Sequence, residues 1–373
     1  MRPLLLCIAL LALPSLAHAQ GTLAPGGAPA QSMRSLHQIE PRTPLGAVGG
    51  STLTIAITQP GSYVLLGDIT VASGNAITIS SDHVTLDLNG FTLSSSASPT
   101  AGIGIYGGYP ASSHVRIRNG RISGTGTVSG AGFSGAGFLS GIAGFAHSVV
   151  TDTTVSGVSL SGISLGANSR VLRSTVRHCG ANGITATQVA DCSVSACHRI
   201  GIRSPDNEPS LVVRSSSDSR TTGILATVVA DSRAASSTDI GIDTTVVRDS
   251  YGQASTGYGI KTTLALNCTG RTLRNTSEES AGLSADIAVN SYGSTAAPYS
   301  VGLSAQLAAL NCTGANTAAG QALEVTAGVA AFCRGNISGG SATGYYAIEA
   351  LNAIGCTASG GTISAPKKFL GTP

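Results

Sequence analysis

Val189–Ile202, VADCSVSACHRIGI, contains two short motifs that recur along most of this 373-residue chain. The first motif is an apolar pair, then Asp or Asn, then a small residue, and similar tetrapeptides follow at 229–232, 247–250, 265–268, 288–291 and 309–312. The second motif is Gly followed by Ile or Leu. It recurs at Gly141, Gly162, Gly183, Gly201, Gly223, Gly241, Gly259, Gly282 and Gly302. These glycines are 18 to 23 residues apart, and a repeat of that length indicates a solenoid.

The residue types within the repeat select the kind of solenoid. Leucine-rich repeats need several fixed leucines and an Asn in each unit, and this chain lacks them. The repeats are instead rich in Val, Ile, Thr, Ser, Ala and Gly, which favour strands and turns over helices. The sequence therefore predicts an all-β, single-stranded parallel β-helix of about thirteen coils.

The overall composition agrees with a narrow solenoid and excludes one class of partner. The chain has 49 glycines, and aromatic residues make up 4% of it, which suits a slim interior filled by small side chains. Charged residues make up 10% and the net charge is +3. The basic residues form no run longer than Lys367–Lys368, so we expect no nucleic-acid partner.

The N-terminus has the pattern of a secretory signal peptide. Arg2 is its charged region, Leu4–Leu13 its apolar region, and Ala17–Ala19 a small-x-small cleavage site. Residues 1–19 are therefore predicted to be removed after Ala19, which places the mature protein in the periplasm or outside the cell. No later segment has the length of a membrane span.

The remaining chain divides into three predicted parts. Residues 20–50 form a linker rich in Gly, Ala and Pro, within which Ser32–Ile39 is predicted to form a short helix that caps the first coil. Residues 51–365 form the β-helix, and residues 366–373 form a tail in which Lys367 and Lys368 protect the last sheet edge.

The cysteines follow the repeat. Seven remain after the predicted cleavage, and an odd number argues against a complete disulfide framework. Five of them, at 192, 268, 312, 333 and 356, occupy the small-residue position that Ser or Thr fills in other coils. This indicates one buried column in which cysteine acts as a small apolar residue. The chain contains no CxxC pair, and no zinc site is predicted.

Several stretches resemble a known family. QPGSYVLLGDITV (59–71), HVTLDLNGFTL (83–93), RIRNGRISG (116–124) and the Gly-Ile coils resemble the secreted right-handed parallel β-helix repeat proteins of bacteria, which share the fold of pectate lyases. SLHQIEPRTPL (35–45) resembles the segment before the first coil in one branch of them, most of whose members have no assigned reaction. The resemblance covers about 32–363. It implies a right-handed coil and a polysaccharide ligand.

One set of residues suggests a lyase site. Elimination from an acidic sugar needs carboxylates, which hold Ca²⁺, and a basic group that removes a proton. Asp87 is expected beside Arg116 and Arg118 of the next coil, with His83 and His114 stacked nearby. The alternative is an ion pair and a histidine ladder on a solvated face.

A second set suggests glycoside hydrolysis, which needs two carboxylates on either side of the bond that is cut. Asp231 and Asp249 are predicted to stack on adjacent coils, and together with Tyr251 and Tyr292 they are the four candidate sugar-binding residues. The NTD, DD, GHG and RIK motifs of β-helix polygalacturonases do not occur here. The alternative is an outer ladder of mostly alternating charges. Its members would be Asp152, Arg173, Asp191, Arg214, Asp231 and Asp249.

Tyr251 and Tyr292 occupy equivalent places, two coils apart, in DSYG and NSYG. If both point outward they lie ~10 Å apart and can stack against sugar rings; the alternative is two partly covered surface aromatics. No cofactor is predicted. The acidic stretches Asp206–Glu208 and Glu278–Glu279 are weak Ca²⁺ candidates, and the favoured interpretation of both is a polar loop.

Two functions therefore remain open. The first is a secreted β-helix protein whose extended surface binds a polysaccharide or cell-envelope glycan without catalysis. The second is a lyase, epimerase or hydrolase that acts on an acidic extracellular polysaccharide. The missing catalytic motifs favour the first function.

Overall fold

The computed structural model describes residues 41–50, 52–108, 112–130, 132–205, 208–273, 280–339 and 345–368. The predicted signal peptide and the predicted capping helix at Ser32–Ile39 lie outside these residues. The described residues are all β-structure, as the repeat predicted. The described residues contain no helix that is long and apolar enough to cross a bilayer.

Forty strands run through the described residues. The first twenty are β1 Thr43–Leu45, β2 Ile55–Ile57, β3 Gly61–Leu65, β4 Ile69–Val71, β5 Ile77–Ile79, β6 Val84–Asp87, β7 Thr92–Ser95, β8 Ile103–Gly107, β9 Ser112–Ser113, β10 Arg116–Ser123, β11 Thr127–Ser129, β12 Gly132–Ser134, β13 Ser140–Ala146, β14 Val149–Val158, β15 Ile163–Leu165, β16 Arg170–Leu172, β17 Thr175–Cys179, β18 Ile184–Thr185, β19 Gln188–Ala190 and β20 Ser193–Cys197. The second twenty are β21 Ile202–Arg203, β22 Leu211–Val213, β23 Ser216–Ser219, β24 Thr222–Ala230, β25 Arg233–Ser236, β26 Ile240–Arg248, β27 Tyr251–Ala254, β28 Ile260–Lys261, β29 Leu264–Leu266, β30 Thr269–Thr272, β31 Ala281–Val289, β32 Tyr292–Thr295, β33 Val301–Leu310, β34 Thr313–Asn316, β35 Leu323–Ala331, β36 Arg334–Ile337, β37 Tyr346–Ile354, β38 Thr357–Ser359, β39 Thr362–Ser364 and β40 Lys367–Lys368.

The strands stack into a right-handed parallel β-helix of about fourteen turns, one more than the sequence predicted. Each turn contributes to three parallel stacks. Sheet A runs from β2 through β5, β15 and β28 to β39. Sheet B runs from β1 through β3, β16 and β29 to β40, and sheet C from β4 through β17 and β27 to β38. Long strands such as β24 and β26 bend from sheet A into sheet B.

The Gly-Ile motif lies in the strands of sheet A. Its Ile and Leu side chains stack in one buried file, as in the partners Ile224, Ile242 and Ile260. The preceding glycines stack as well. A Cβ on Gly223 would lie 2.5 Å from the carbonyl oxygen of Gly241, so the spacing of the coils leaves room for glycine alone at this position.

The predicted column of small residues is confirmed. Its serine, threonine and cysteine side chains are all buried just after sheet B. Each hydroxyl donates to the carbonyl two residues earlier and accepts an amide from the preceding coil: Ser232 Oγ donates to Ala230 O at 2.6 Å, and Ser250 Oγ accepts from Ser232 N at 3.1 Å. The thiols make the same donation, for example from Cys192 Sγ to Ala190 O at 3.2 Å. Wherever a hydroxyl occupies the following coil, as at Ser215, Ser232 and Ser250, the column thus satisfies a buried backbone amide of the preceding coil.

The ends of the solenoid extend past the predicted limits. β1 lies upstream of residue 51, inside the predicted linker, and pairs with β3. β40, which consists of Lys367 and Lys368, lies inside the predicted tail and forms the last strand of sheet B, paired with β37. The Gly-rich segment after residue 123 contributes an antiparallel hairpin, β11–β12, outside the three stacks.

Candidate functional site

The turn between sheets B and C places one side chain of every coil on the outside. A single residue there adopts a left-handed conformation, with φ between 45° and 59° in the members named here, which Asn and Asp tolerate best. We call these residues the turn column. They are Asn89, Asn119, Asp152, Arg173, Asp191, Arg214, Asp231, Asp249, Asn267, Asn290 and Asn311.

Charges in the first part of the turn column are paired. Arg173 holds Asp152 through two bonds of 2.8 Å, and Arg214 holds Asp191 at 2.7 and 3.0 Å. These hydrogen bonds lower the pKa of both carboxyl groups. The outer charge ladder predicted from the sequence is therefore present along these coils.

The pairing stops where two carboxylates follow each other. Asp231 and Asp249 are exposed and sit one strand apart, ~4.8 Å, and within the described residues neither has an ion-pair partner at salt-bridge distance. Asp249 accepts a hydrogen bond of 3.1 Å from the amide of Asn267. Arg214 is already bidentate on Asp191, and Arg233 lies over the ring of Tyr251, so neither arginine makes an ion pair with Asp231 or Asp249.

These two carboxylates border an open groove along sheet C, which we call the sheet C groove. Its first part has a volume of about 940 Å³ and its second about 270 Å³, and both parts contain Tyr251 and Thr269. The first part is lined by residues of the turn column and of β20, β23, β25, β27 and β30. The second adds Arg271 and Tyr292. Three of the four residues predicted to bind sugar thus line one cavity, and the fourth lines its continuation.

The two tyrosines lie in register as the sequence predicted. Arg233, Tyr251, Thr269 and Tyr292 are partners on four successive strands of sheet C. Tyr251 and Tyr292 are therefore two strand spacings apart, ~10 Å. Tyr292 is 39% exposed; Tyr251 is half-buried, because Arg233 lies over its ring at 5.1 Å and its hydroxyl donates to Gln253 at 2.7 Å.

The predicted lyase residues lie elsewhere, in the first coils of sheet B. Arg118 pairs in register with Asp87 and makes an ion pair of 3.0 Å with it. Arg42 binds the same carboxylate oxygen at 2.8 Å, and the amide of Asn89 donates to the other oxygen at 2.8 Å. Arg116 lies two residues before Arg118 on the same outward side and is exposed. These contacts are those of the ion-pair alternative, and a catalytic role for the three residues stays a prediction.

The histidine ladder that accompanied this alternative is also present. His83 and His114 stack with ring centroids 4.9 Å apart, and His147 continues the stack at 5.5 Å. Within the described residues no group of three or more His, Cys, Asp or Glu is arranged to hold a metal ion. Asp206, Asn207 and Glu278–Glu279, the weak Ca²⁺ candidates, lie outside the described residues.

Sequence reasoning missed two features that involve titratable groups. Arg42 was not linked to Asp87, because a contact across 45 positions leaves no local pattern. Glu324 and Glu349 are partners on adjacent strands of sheet A, and burial together with the Glu349 charge raises the pKa of Glu324. The sequence signal that could have paired them is the shared position of the two glutamates within the repeat, in LEVT (323–326) and YAIEA (346–350).

The chain has distant structural similarity to several proteins of known structure. No protein-family model matches the chain, and no curated protein sequence matches it. Among solved structures, the A-module of mannuronan C-5 epimerase AlgE4 from Azotobacter vinelandii is similar at 11% identity and a TM-score of 0.36, with 86% of this chain and 91% of that chain covered. The Dettilon tailspike protein gp208 is similar at 14% and 0.32, with 87% and 62% covered. The A-module of AlgE6 from A. vinelandii is similar at 11% and 0.32, with 87% and 90% covered. At these identities the similarity concerns the fold alone.

Proposed function

We propose that the protein is exported and uses the sheet C groove to bind an extended polysaccharide, such as an extracellular or cell-envelope glycan, without cleaving it. The observation that carries the proposal is the continuous groove with Tyr251 and Tyr292 two coils apart. The predicted signal peptide supports export.

The shape of the groove suits a chain rather than a small molecule. It is open along its length and follows the axis on which the coils stack, from the level of Asp191 to that of Thr317. A polymer can therefore lie across six or more rungs, each of which presents a polar side chain at the same height. Repeated weak contacts of this kind give affinity through their number.

The side chains of the groove offer the two kinds of contact that sugars need. The rings of Tyr251 and Tyr292 provide apolar faces, and Arg233, already stacked on one ring, keeps its guanidinium at the rim. Carboxylates, hydroxyls and the Asn267 amide provide hydrogen-bond partners for sugar hydroxyls.

Binding is favoured over cleavage by the surroundings of the carboxylates. A general acid of a glycosidase has a raised pKa, which burial commonly provides, and Asp231 and Asp249 are exposed. The Asp87 carboxylate is held by two guanidinium groups and two further hydrogen bonds from Asn89 and Asn119. Arg118 is itself engaged in this ion pair, at 3.0 Å from the Asp87 carboxylate.

Affinity electrophoresis through gels that contain one polysaccharide each tests the proposal. We expect retardation by at least one acidic, neutral or amino-sugar polymer. Tyr251→Ala and Tyr292→Ala should each weaken that binding about tenfold, since loss of one ring contact removes roughly 1 kcal/mol or more. Tyr346→Ala is the matched control, because Tyr346 is 40% exposed on sheet A and away from the groove.

Two results would contradict the proposal. Equal retardation of the wild type and both tyrosine variants would remove the groove as the binding site. Formation of unsaturated sugar ends in the same mixtures, with loss of that product in Arg118→Ala, would establish the lyase alternative at Asp87, Arg116 and Arg118.

A further inference from the structure

The outward face of sheet B is aliphatic over its last eight strands before β40, from β22 to β37. Of the sixteen outward positions there, fourteen are aliphatic, and the other two are Arg248 and Asn352. We call these fourteen residues the aliphatic face. They are Leu211, Val213, Val228, Ala230, Val246, Leu264, Leu266, Ile287, Val289, Ala308, Leu310, Val329, Ala331 and Ile354. Ala230 and Ala331 are buried, and the other twelve are partly or fully exposed.

The first coils of the same sheet are different. Their outward positions include Arg116, Arg118, Thr151, Arg170 and Gln188, the polar pattern expected where a sheet meets water. The change to aliphatic residues is therefore not a property of the fold, which is the same along the whole sheet.

The inward position of sheet B changes in the opposite sense. It is Val at 212, 229 and 247 and becomes Ala at 265, 288, 309, 330 and 353. In four of the last five coils the smaller side chain of the pair faces the core and the larger, such as Leu266 or Leu310, faces outward; in the remaining coil both residues are alanine. This arrangement does not stabilise a sheet whose outer side stays in water, because apolar side chains stabilise a fold only when they are buried away from water.

We propose that the aliphatic face is a self-association surface on which a second copy of this chain docks. A flat face built from stacked, nearly identical rungs is complementary to itself, as a two-fold interface requires. Two such faces pack ~10 Å apart with their side chains in contact.

The area agrees with a pair of copies. Eight strands at ~4.8 Å span roughly 34 Å, and two outward columns with their flanking atoms are roughly 15 Å wide, which gives about 500 Å² on each copy. A pair then buries about 1,000 Å², where specific interfaces begin. Leu307, Leu351 and Phe332 flank the last coils and add to this area; Phe332 is 69% exposed.

Apart from Leu307, Phe332 and Leu351 in the last coils, the borders of the face have the polar character of an interface rim. The turn column, including Asp231, Asn267 and Asn311, runs along one side. Thr245, Thr263 and Gln306 lie along the other. The turn column also lines the first part of the sheet C groove, so the aliphatic face and the groove share this border.

Sedimentation equilibrium over a concentration series tests the proposal on the full mature chain. We expect the wild type to reach twice the monomer mass. Leu310→Lys should weaken association at least tenfold, because it places a charge within the apolar contact. Leu310 is 40% exposed, so the lysine is accommodated in the monomer; Leu211→Lys is a second variant with the same exposure. Leu160→Lys is the control, an exposed leucine between sheets C and A that should leave the mass unchanged.

A wild type that stays monomeric at every concentration overturns the proposal, whatever the variants do. Binding of that monomer to phospholipid vesicles would then identify a lipid surface as the occupant. A wild-type pair that survives both lysine substitutions, with the far-ultraviolet circular dichroism unchanged, also overturns it.

Discussion

Ser250→Ala tests the hydrogen-bond ladder inside the solenoid. Ser250 Oγ donates to Arg248 O at 2.7 Å and accepts the amide of Ser232 at 3.1 Å. The carbonyl of Arg248 also accepts from Asp231 N at 3.2 Å and keeps a partner in the variant. The amide of Ser232 has Ser250 Oγ as its partner and is left buried without one.

The expected loss follows from that difference. A buried amide without an acceptor costs about 1–3 kcal/mol, and loss of one of two donors to a carbonyl costs less. We expect Ser250→Ala to lower the free energy of unfolding by about 2 kcal/mol. Ser250→Cys should cost only about 1 kcal/mol, because cysteine occupies the same place at Cys268, where its thiol donates to Leu266 O at 3.1 Å.

Urea unfolding followed by circular dichroism measures both losses, and the slope must stay constant for the midpoints to be compared. Ser237→Ala is the control, because Ser237 is exposed and its truncation should change stability by less than about 0.5 kcal/mol. The reasoning is refuted if Ser250→Ala unfolds at the same urea concentration as Ser237→Ala, or if the Ala and Cys variants cannot be distinguished.

Three further outcomes are expected. Gly223→Ala should lower the free energy of unfolding, measured in urea, by more than about 2 kcal/mol, because its Cβ would meet a backbone oxygen of the next coil. Gly130→Ala is the control: no atom lies within 4 Å of the added Cβ, and the same measurement should show almost no change. Burial and the Glu349 charge raise the pKa of Glu324 above 4.5. The stability that the Glu324 carboxyl contributes is therefore complete below pH 4.5 and is lost as the pH rises through the raised pKa. Glu349→Gln should lower the pKa of Glu324 in a carboxylate NMR titration, and an unchanged pKa would contradict an interaction between the two carboxyl groups. Burial raises the pKa of Cys192 and Cys268 to about 11, so at pH 8 a chromogenic disulfide reagent should leave both thiols intact in the folded protein and modify them in urea; fast labelling of the native protein would show that the column is open to solvent.

The sequence indicated the columns because each depends on a repeat that is visible in one dimension. Once Ser232, Ser250 and Cys268 share a phase of the repeat, parallel stacking places them in one file. The same argument placed Tyr251 two coils from Tyr292 and Arg118 beside Asp87. It worked wherever the contact joins equivalent positions of neighbouring coils.

Contacts between different positions were not accessible in this way. No sequence pattern paired Arg42 with Asp87, and the alternation of charge along the turn column did not show whether Arg214 binds Asp191 or Asp231. Side-chain length and rotamer decide that choice, and they place both arms of Arg214 on Asp191, which leaves Asp231 to the groove.

The sequence by itself determined the class of fold and its rungs, since strand periodicity and coil length are local properties. It did not determine which member of the apolar pair faces the core, because adjacent strand residues point to opposite sides and both are apolar. The tertiary structure decided that Ala265 faces inward and Leu266 outward. The reason is the turn that follows, whose left-handed residue fixes the phase of the strand before it and so brings the aliphatic side chains to the surface.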